Sequence, residues 1–166
     1  TRNNFGKLVQ EYYKTGIGAE IGVEYGANSK QILSQWSGKL ISIDMWADSK
    51  IENHARHVLN TDRSILIKSS SVAAANEVAD ESLDFVYIDA DHDYRSCWED
   101  ILAWFPKVRH GGIVAGHDYL NWTKAQGAGC EFGVKAAVDQ FCCTRGYKLN
   151  VTTDDSWQGN PYPTWW

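Results

Sequence analysis

Short apolar runs recur along the chain, each separated from the next by a stretch of helical length, and this alternation constrains the fold more than any other feature. Residues 18–24 read as a first strand, 39–44 as a second, 65–67 as a third, 83–88 as a fourth, 113–115 as a fifth and 148–153 as a sixth, with Trp165-Trp166 in a seventh. Helices are expected over 27–36, with Asn28 or Ser29 as its cap, and over 51–59, 72–79, 95–105 and 132–141. Pro106 stops the fourth of these, and Gly111-Gly112 reads as a turn into the fifth strand. Alternation at this spacing implies an α/β fold, a mostly parallel sheet with helices on both faces. Right-handed crossovers then bring the strand ends to one rim, where open α/β sheets bind ligands.

Composition narrows the class. At 166 residues, one domain over 1–166 is expected, and the absence of an initial Met fits a processed or excised domain. No apolar stretch reaches the ~20 residues that span a membrane, and the start lacks signal-peptide character. A net charge of −5 argues against a general nucleic-acid binder. The four cysteines (Cys97, Cys130, Cys142, Cys143) form no C-x-x-C pair, so they read as reduced thiols of a cytoplasmic protein. Without a secretion signal, the sequons at Asn121 and Asn150 read as chance matches. Eight tryptophans serve either as filler or as walls for flat ligand faces. Composition leaves the oligomeric state open and is compatible with a homodimer.

The fourth strand ends abruptly in Asp89-Ala90-Asp91-His92-Asp93. Charge at the end of a buried strand is costly unless it binds something. The turn after the first strand, Glu20-Ile21-Gly22-Val23-Glu24-Tyr25-Gly26, lets a ligand approach the backbone but lacks the G-x-G-x-x-G spacing for a pyrophosphate. Asp44 ends the second strand, where an acidic residue can hold ribose hydroxyls. Met45 and Trp46 follow it, and Trp46 is placed to pack on a base. Ser69, Ser70 and Ser71 follow the third strand, within reach of an adenine edge. In order, these strand ends suit an adenosine without phosphates, although each residue alone reads equally as solvated loop.

This ordered set, together with Gly111-Gly112 before the fifth strand, resembles the class I S-adenosylmethionine-dependent methyltransferases over roughly residues 16–153. The resemblance implies a seven-stranded Rossmann-like sheet with one antiparallel strand near its end. It implies that Glu20 and Gly22 approach the methionine part of the cofactor, with Glu24 and Ser29 also in the cofactor site. Asp44, Met45, Trp46, Ser70 and Ser71 would then hold the nucleoside, and Asp89 and Asp91 would complete the pocket.

A second set lies beside the first. Asp89, His117 and Asp118 end neighbouring strands and can converge on one cation, Mg²⁺ by oxygen or Mn²⁺ if imidazole takes part. The chain is similar here to metal-dependent small-molecule O-methyltransferases, such as the catechol and caffeoyl-coenzyme A enzymes, and closer to those acting on sugars. In the catechol type a Lys lies three residues after the strand-four Asp; here that residue is His92, as in sugar-modifying relatives, where it is the base. The Asp-Asn pair after strand five falls on His117-Asp118, a departure that makes Asp118 the safer ligand.

The expected function is methyl transfer to a hydroxyl of a sugar or glycan, with S-adenosylmethionine, a divalent cation, His92 as base and Asp89 beside it. Asp91 is expected to orient the cofactor amine or His92, Asp93 to cap the next helix, and Tyr119–Gly129 to form a lid. A catechol-like acceptor, or a non-catalytic glycan-binding module on the same fold, are the alternatives.

Overall fold

A computed structural model describes residues 2–122, 131–152 and 162–166. Helices α1 (Phe5–Tyr12), α2 (Ala27–Gln35), α3 (Ser49–Val58), α4 (Ser71–Asn76), α5 (Tyr94–Trp104) and α6 (Val134–Arg145) alternate with strands β1 (Ile17–Ile21), β2 (Lys39–Asp44), β3 (Ser64–Lys68), β4 (Leu83–Ile88) and β5 (Val108–Gly116). The strands pair in the order β3-β2-β1-β4-β5, all parallel. The order reverses between β1 and β4, which opens a crevice at their carboxyl ends.

Every residue of β4 is buried, as a central parallel strand requires. Its side chains alternate between two cores. Phe85 and Tyr87 pack with Phe5, Val9, Ile32, Leu33 and Trp36 on one face. Val86 and Ile88 pack with Cys97, Ile101, Trp104, Ala137 and Val138 on the other. Two-sided burial explains why Leu83–Ile88 is a nearly continuous apolar run.

Among the described residues five strands form where seven were expected. The C-terminal segments contribute isolated antiparallel bridges instead: Trp165 pairs with Gly116 on one side and Val151 on the other. Their order still extends the sheet beyond β5 with a reversed segment, but the ladder is too short to form strands. Thr153, the end of the expected sixth strand, lies outside the described residues, as does most of the expected lid.

Three local expectations change. Gly111-Gly112 lies inside β5, not before it, at a shift in the β4–β5 register. A Cβ on Gly112 would come 2.7 Å from the Asp84 carbonyl, so the glycine pair accommodates a bulge. The N-cap of α2 is Gly26, in the left-handed region, because Asn28 and Ser29 turn their side chains inward to Glu20. Helix α1 had no counterpart in the sequence reading; Phe5 and Val9 anchor it in the core. Asp93 does cap α5, accepting hydrogen bonds from the N–H groups of Arg95 and Ser96.

Candidate active site

The carboxyl ends of β1, β2 and β4 border a cleft of about 850 Å³, of the size that takes a small ligand. Gly22, Glu24, Asp44, Met45, Ser70, Ser71, Asp89, Asp91, His117, Asp118 and His92 all line it, so most of the sequence-predicted residues meet on one surface. Gly22 holds φ at +85°, and a Cβ there would lie 2.1 Å from the Asp89 carbonyl oxygen. Only glycine lets the β1 turn cross so close to the end of β4.

Asp44 builds the next turn as well as facing the cleft. Its Oδ2 accepts from the N–H groups of Val23 (2.9 Å) and Glu24 (2.8 Å), and Oδ1 from that of Trp46 (2.7 Å). Met45 is 66% exposed and lies over the same rim. Glu24 and Asp118 hold left-handed backbone at φ 49° and 55°, a cost non-glycine residues meet at about 1–3 kcal/mol each and one that clusters at functional sites.

Glu20, Ser29 and Trp46 do not line the cleft. Glu20 is buried and accepts from Asn28 Nδ2 (2.8 Å) and from the Ser29 hydroxyl, and Ser29 also meets Ser42 at 2.8 Å. Burial pushes the Glu20 carboxyl up to about 7, against the pull of those two hydrogen bonds. Trp46 turns inward at 2% exposure and donates to the Glu24 carbonyl, so it braces the turn from behind. Trp36, Trp104 and Trp165 are core residues too, and no tryptophan is among the described lining residues. The aromatic wall comes from Tyr25, Phe132 and Tyr162.

Beside the β1–β4 crossing, Asp89, His92 and Asp118 bring one ligand atom each within 4.8 Å of one another. His92 Nε2 lies 2.7 Å from Asp118 Oδ2 and 3.8 Å from Asp89 Oδ1. It is fully buried and has no aligned hydrogen-bond partner. The contacts with Asp118, then Asp89, raise the imidazole to about 10 against the opposing effect of burial. Burial favours the neutral form of Asp118, yet His117 and His92 together hold its carboxyl well below the usual range. His117 Nδ1 stands 3.3 Å from Asp118 Oδ1 and 3.9 Å from Asp89 Oδ1. It therefore flanks the group, and His92 stands between the two carboxylates.

Phe132 stacks on His92 with centroids 5.0 Å apart and planes at 15°, and Tyr162 stacks on Phe132 at 5.8 Å. The Gly133 N–H donates to the His92 carbonyl, so ring and backbone both hold the 92 turn. Asp100, on α5, is 5% exposed and lines the cleft near Ser71; burial pushes it up to about 6. Arg2 reaches in from the N-terminal turn, its Nη2 2.6 Å from Asp89 Oδ2. Sequence reasoning missed Arg2, Asp100, Phe132 and Tyr162. Sequence alone reads Asp100 as part of a solvated helix face and Phe132 as the start of a helix; Arg2 and Tyr162 come from segments without periodicity.

A five-stranded parallel sheet, open to a small ligand at its switch point and acidic along the rim, is the class I methyltransferase architecture. Residues 19–119 match a protein-family model described as a methyltransferase domain, and the chain belongs to that family of S-adenosylmethionine-dependent enzymes. No curated protein gives a significant match. Among solved structures, cofactor-bound Rv0187 from MTB superposes with a TM-score of 0.74 at 15% identity, over 99% of this chain and 78% of that one. A "putative caffeoyl-CoA O-methyltransferase" from Staphylococcus aureus gives 0.73 at 15%, over 98% and 80%. The N-methyltransferase NodS from Bradyrhizobium japonicum gives 0.69 at 12%, over 99% and 91%. The fold is thus shared by proteins named for different acceptor atoms. No helix among the described residues is long and apolar enough to cross a membrane.

Proposed function

We propose that the chain, acting as a single domain, transfers a methyl group from S-adenosylmethionine to a hydroxyl of a sugar or glycan, assisted by a divalent cation. The observation that carries this reading is the meeting of Asp89, His92 and Asp118 beside the Gly22–Asp44 side of one cleft. Methyl transfer from a sulfonium is an in-line displacement, in which the cofactor supplies the electrophile and the protein positions and deprotonates the acceptor. The two functions need two neighbouring subsites, and the cleft lining offers residues for each.

The carboxylates lining the cleft are Glu24, Asp44, Asp89, Asp91, Glu99, Asp100 and Asp118. This lining suits a cofactor bearing a sulfonium and an ammonium, and it disfavours a polyanionic nucleic acid as acceptor. Asp44 would face the ribose, with Met45, Ser70 and Ser71 about the base. Gly22 gives the methionine part its close approach to the backbone.

The Asp89 and Asp118 carboxylates are oxygen donors that suit a divalent cation, with the His92 imidazole beside them. Asp89 and Asp118 would hold it, with His117 at the flank. A cation there would lower the pKa of the acceptor hydroxyl and fix its direction. His92 accepts the hydroxyl proton, a contribution of typically about 10²–10⁴-fold. It must be neutral to do so, and its neutral form is favoured once Asp89 and Asp118 are engaged by another cation. Holding oxygen and methyl in line contributes up to roughly 7–11 kcal/mol. Tyr162, which stacks on Phe132 and lines the cleft, offers the aromatic surface on which a pyranose ring packs.

The test has two parts. Calorimetry should show S-adenosylmethionine binding. Transfer of labelled methyl to a panel of mono- and oligosaccharides and catechols should stop on chelation and return with Mn²⁺ or Mg²⁺. Transfer indifferent to chelator removes the cation, and transfer to catechols alone removes the sugar.

A further inference from the structure

We infer that Tyr119 is a positioning residue: its grip on α6 sets the direction of the Asp118 carboxylate, and so the affinity of the cleft for a divalent cation. The inference rests on the cation reading above and deepens it.

Asp118 and Tyr119 are consecutive but serve opposite sides of the chain. Asp118 lines the cleft. Tyr119 does not; it packs against the core cluster that includes Ala137 and Val138 of α6. Its hydroxyl donates to Asp139 Oδ1, and Lys135 Nζ donates both to the Tyr119 hydroxyl (3.2 Å) and to Asp139 Oδ2. The Lys135 ammonium also lies 4.9 Å from the centre of the Tyr119 ring. Lys135 and Asp139 are one helical turn apart, so a single stretch of α6 grips the phenol from two sides.

An exposed Lys–Asp pair on a helix adds little to stability by itself. These two side chains are 43% and 42% exposed, so what they contribute is the placement of the phenol.

Asp118 needs such an anchor. Its backbone stands at φ 55°, a conformation that persists where the surroundings over-determine it. The His117 N–H donates to the Ile88 carbonyl (3.0 Å), and the Tyr119 N–H donates to the Pro163 carbonyl (3.1 Å). Further on, the Leu120 carbonyl accepts from the Lys135 N–H (3.2 Å) and Asn121 Oδ1 from the Ala136 N–H (3.1 Å). These bonds set the path of residues 117–121, and the Tyr119 hydroxyl adds the side-chain anchor nearest to Asp118. A ligating carboxylate has to be held to within about 0.5 Å, which is the work of supporting contacts of this kind.

The experiment measures Mn²⁺ and S-adenosylmethionine binding separately, by calorimetry, on wild type, Tyr119→Phe, Asp139→Asn, their double variant and Thr144→Ala. Tyr119→Phe keeps the ring and loses only the hydroxyl. It should raise the Mn²⁺ Kd by about tenfold, the low end of what losing an outer partner costs, and leave the S-adenosylmethionine Kd unchanged. Asp139→Asn should weaken Mn²⁺ in the same direction, and the double variant should lose no more than Tyr119→Phe alone, because both cut one link. Thr144→Ala is the control for general loosening of α6, since that hydroxyl bonds only to the Gln140 and Phe141 carbonyls of the same helix. It should bind Mn²⁺ as wild type does.

A wild-type Mn²⁺ Kd in Tyr119→Phe would overturn the inference. Equal weakening of both ligands, or an equal loss in Thr144→Ala, would reduce Tyr119 to a structural role and overturn it too. Failure of wild type to bind Mn²⁺ would overturn the cation reading and the inference with it. Thermal unfolding checks that each variant folds; Asp139→Asn, on a half-exposed side chain, carries the comparison if Tyr119→Phe does not.

Discussion

His92 and Asp118 meet at 2.7 Å across the ends of β4 and β5, the closest approach between an imidazole and a carboxylate in the cleft. In the metal-free chain this contact, aided by Asp89, keeps the imidazole protonated until about pH 10. Asp118→Asn removes the main anion, so the His92 pKa should fall towards the ordinary value near 6.5. Histidine NMR titration reads this directly. The same variant should weaken Mn²⁺ binding by at least the roughly 10–100-fold typical of losing even an outer partner. An imidazole still protonated near pH 10 in the variant would show that Asp118 is not its main anion.

Asp44 joins two jobs in one carboxylate. Asp44→Ala frees the N–H groups of Val23, Glu24 and Trp46 together. Each buried donor left unpaired costs about 1–3 kcal/mol, less where water reaches it. S-adenosylmethionine affinity should fall by about tenfold or more, and urea unfolding should shift to lower concentration. Loss of stability with unchanged affinity would confine Asp44 to the turn.

Glu20 gives a pH signature. Its folded pKa of about 7 exceeds the ordinary 4.5, so the native chain retains a proton that the unfolded chain releases. Between those values the unfolded state binds fewer protons, and this group makes stability fall as pH rises. Glu20→Gln should abolish that slope and gain on wild type by roughly 3 kcal/mol between pH 4 and pH 8. Denaturation curves across that range decide it; parallel wild-type and variant profiles would mean that Glu20 titrates normally.

Phe132 stacks on His92 but belongs to a different segment. Phe132→Ala should lower acceptor kcat/KM by up to about tenfold, the worth of one aromatic contact, and leave cofactor affinity alone. Phe132→Tyr should keep most of the activity. A matching loss in cofactor affinity would place Phe132 outside the acceptor subsite.

The sheet was legible because parallel strands buried on both faces must be short and apolar, as Phe85-Val86-Tyr87-Ile88 is. Asp93 was legible because a cap acts within a few residues of its own position. Glu20 and Trp46 were misplaced for the opposite reason. A residue at a strand end can face the crevice or the layer beneath it, and the sequence around Ile21 or Asp44 does not distinguish the two. Arg2 had no periodicity to mark it. Its position depends on Phe5 meeting Phe85, about eighty residues away. Asp118 turns through left-handed backbone at φ 55°, a local twist that composition does not announce.

The reversal of strand order between β1 and β4 has an evolutionary consequence. On the proposed function, residues facing the nucleoside would come from the strands up to β3, and those facing the acceptor chiefly from β4 onwards. The boundary between the two chemistries is also a boundary in the gene. On that reading, change confined to the segments after Asp91 would exchange one acceptor for another while most of the donor pocket is inherited unaltered.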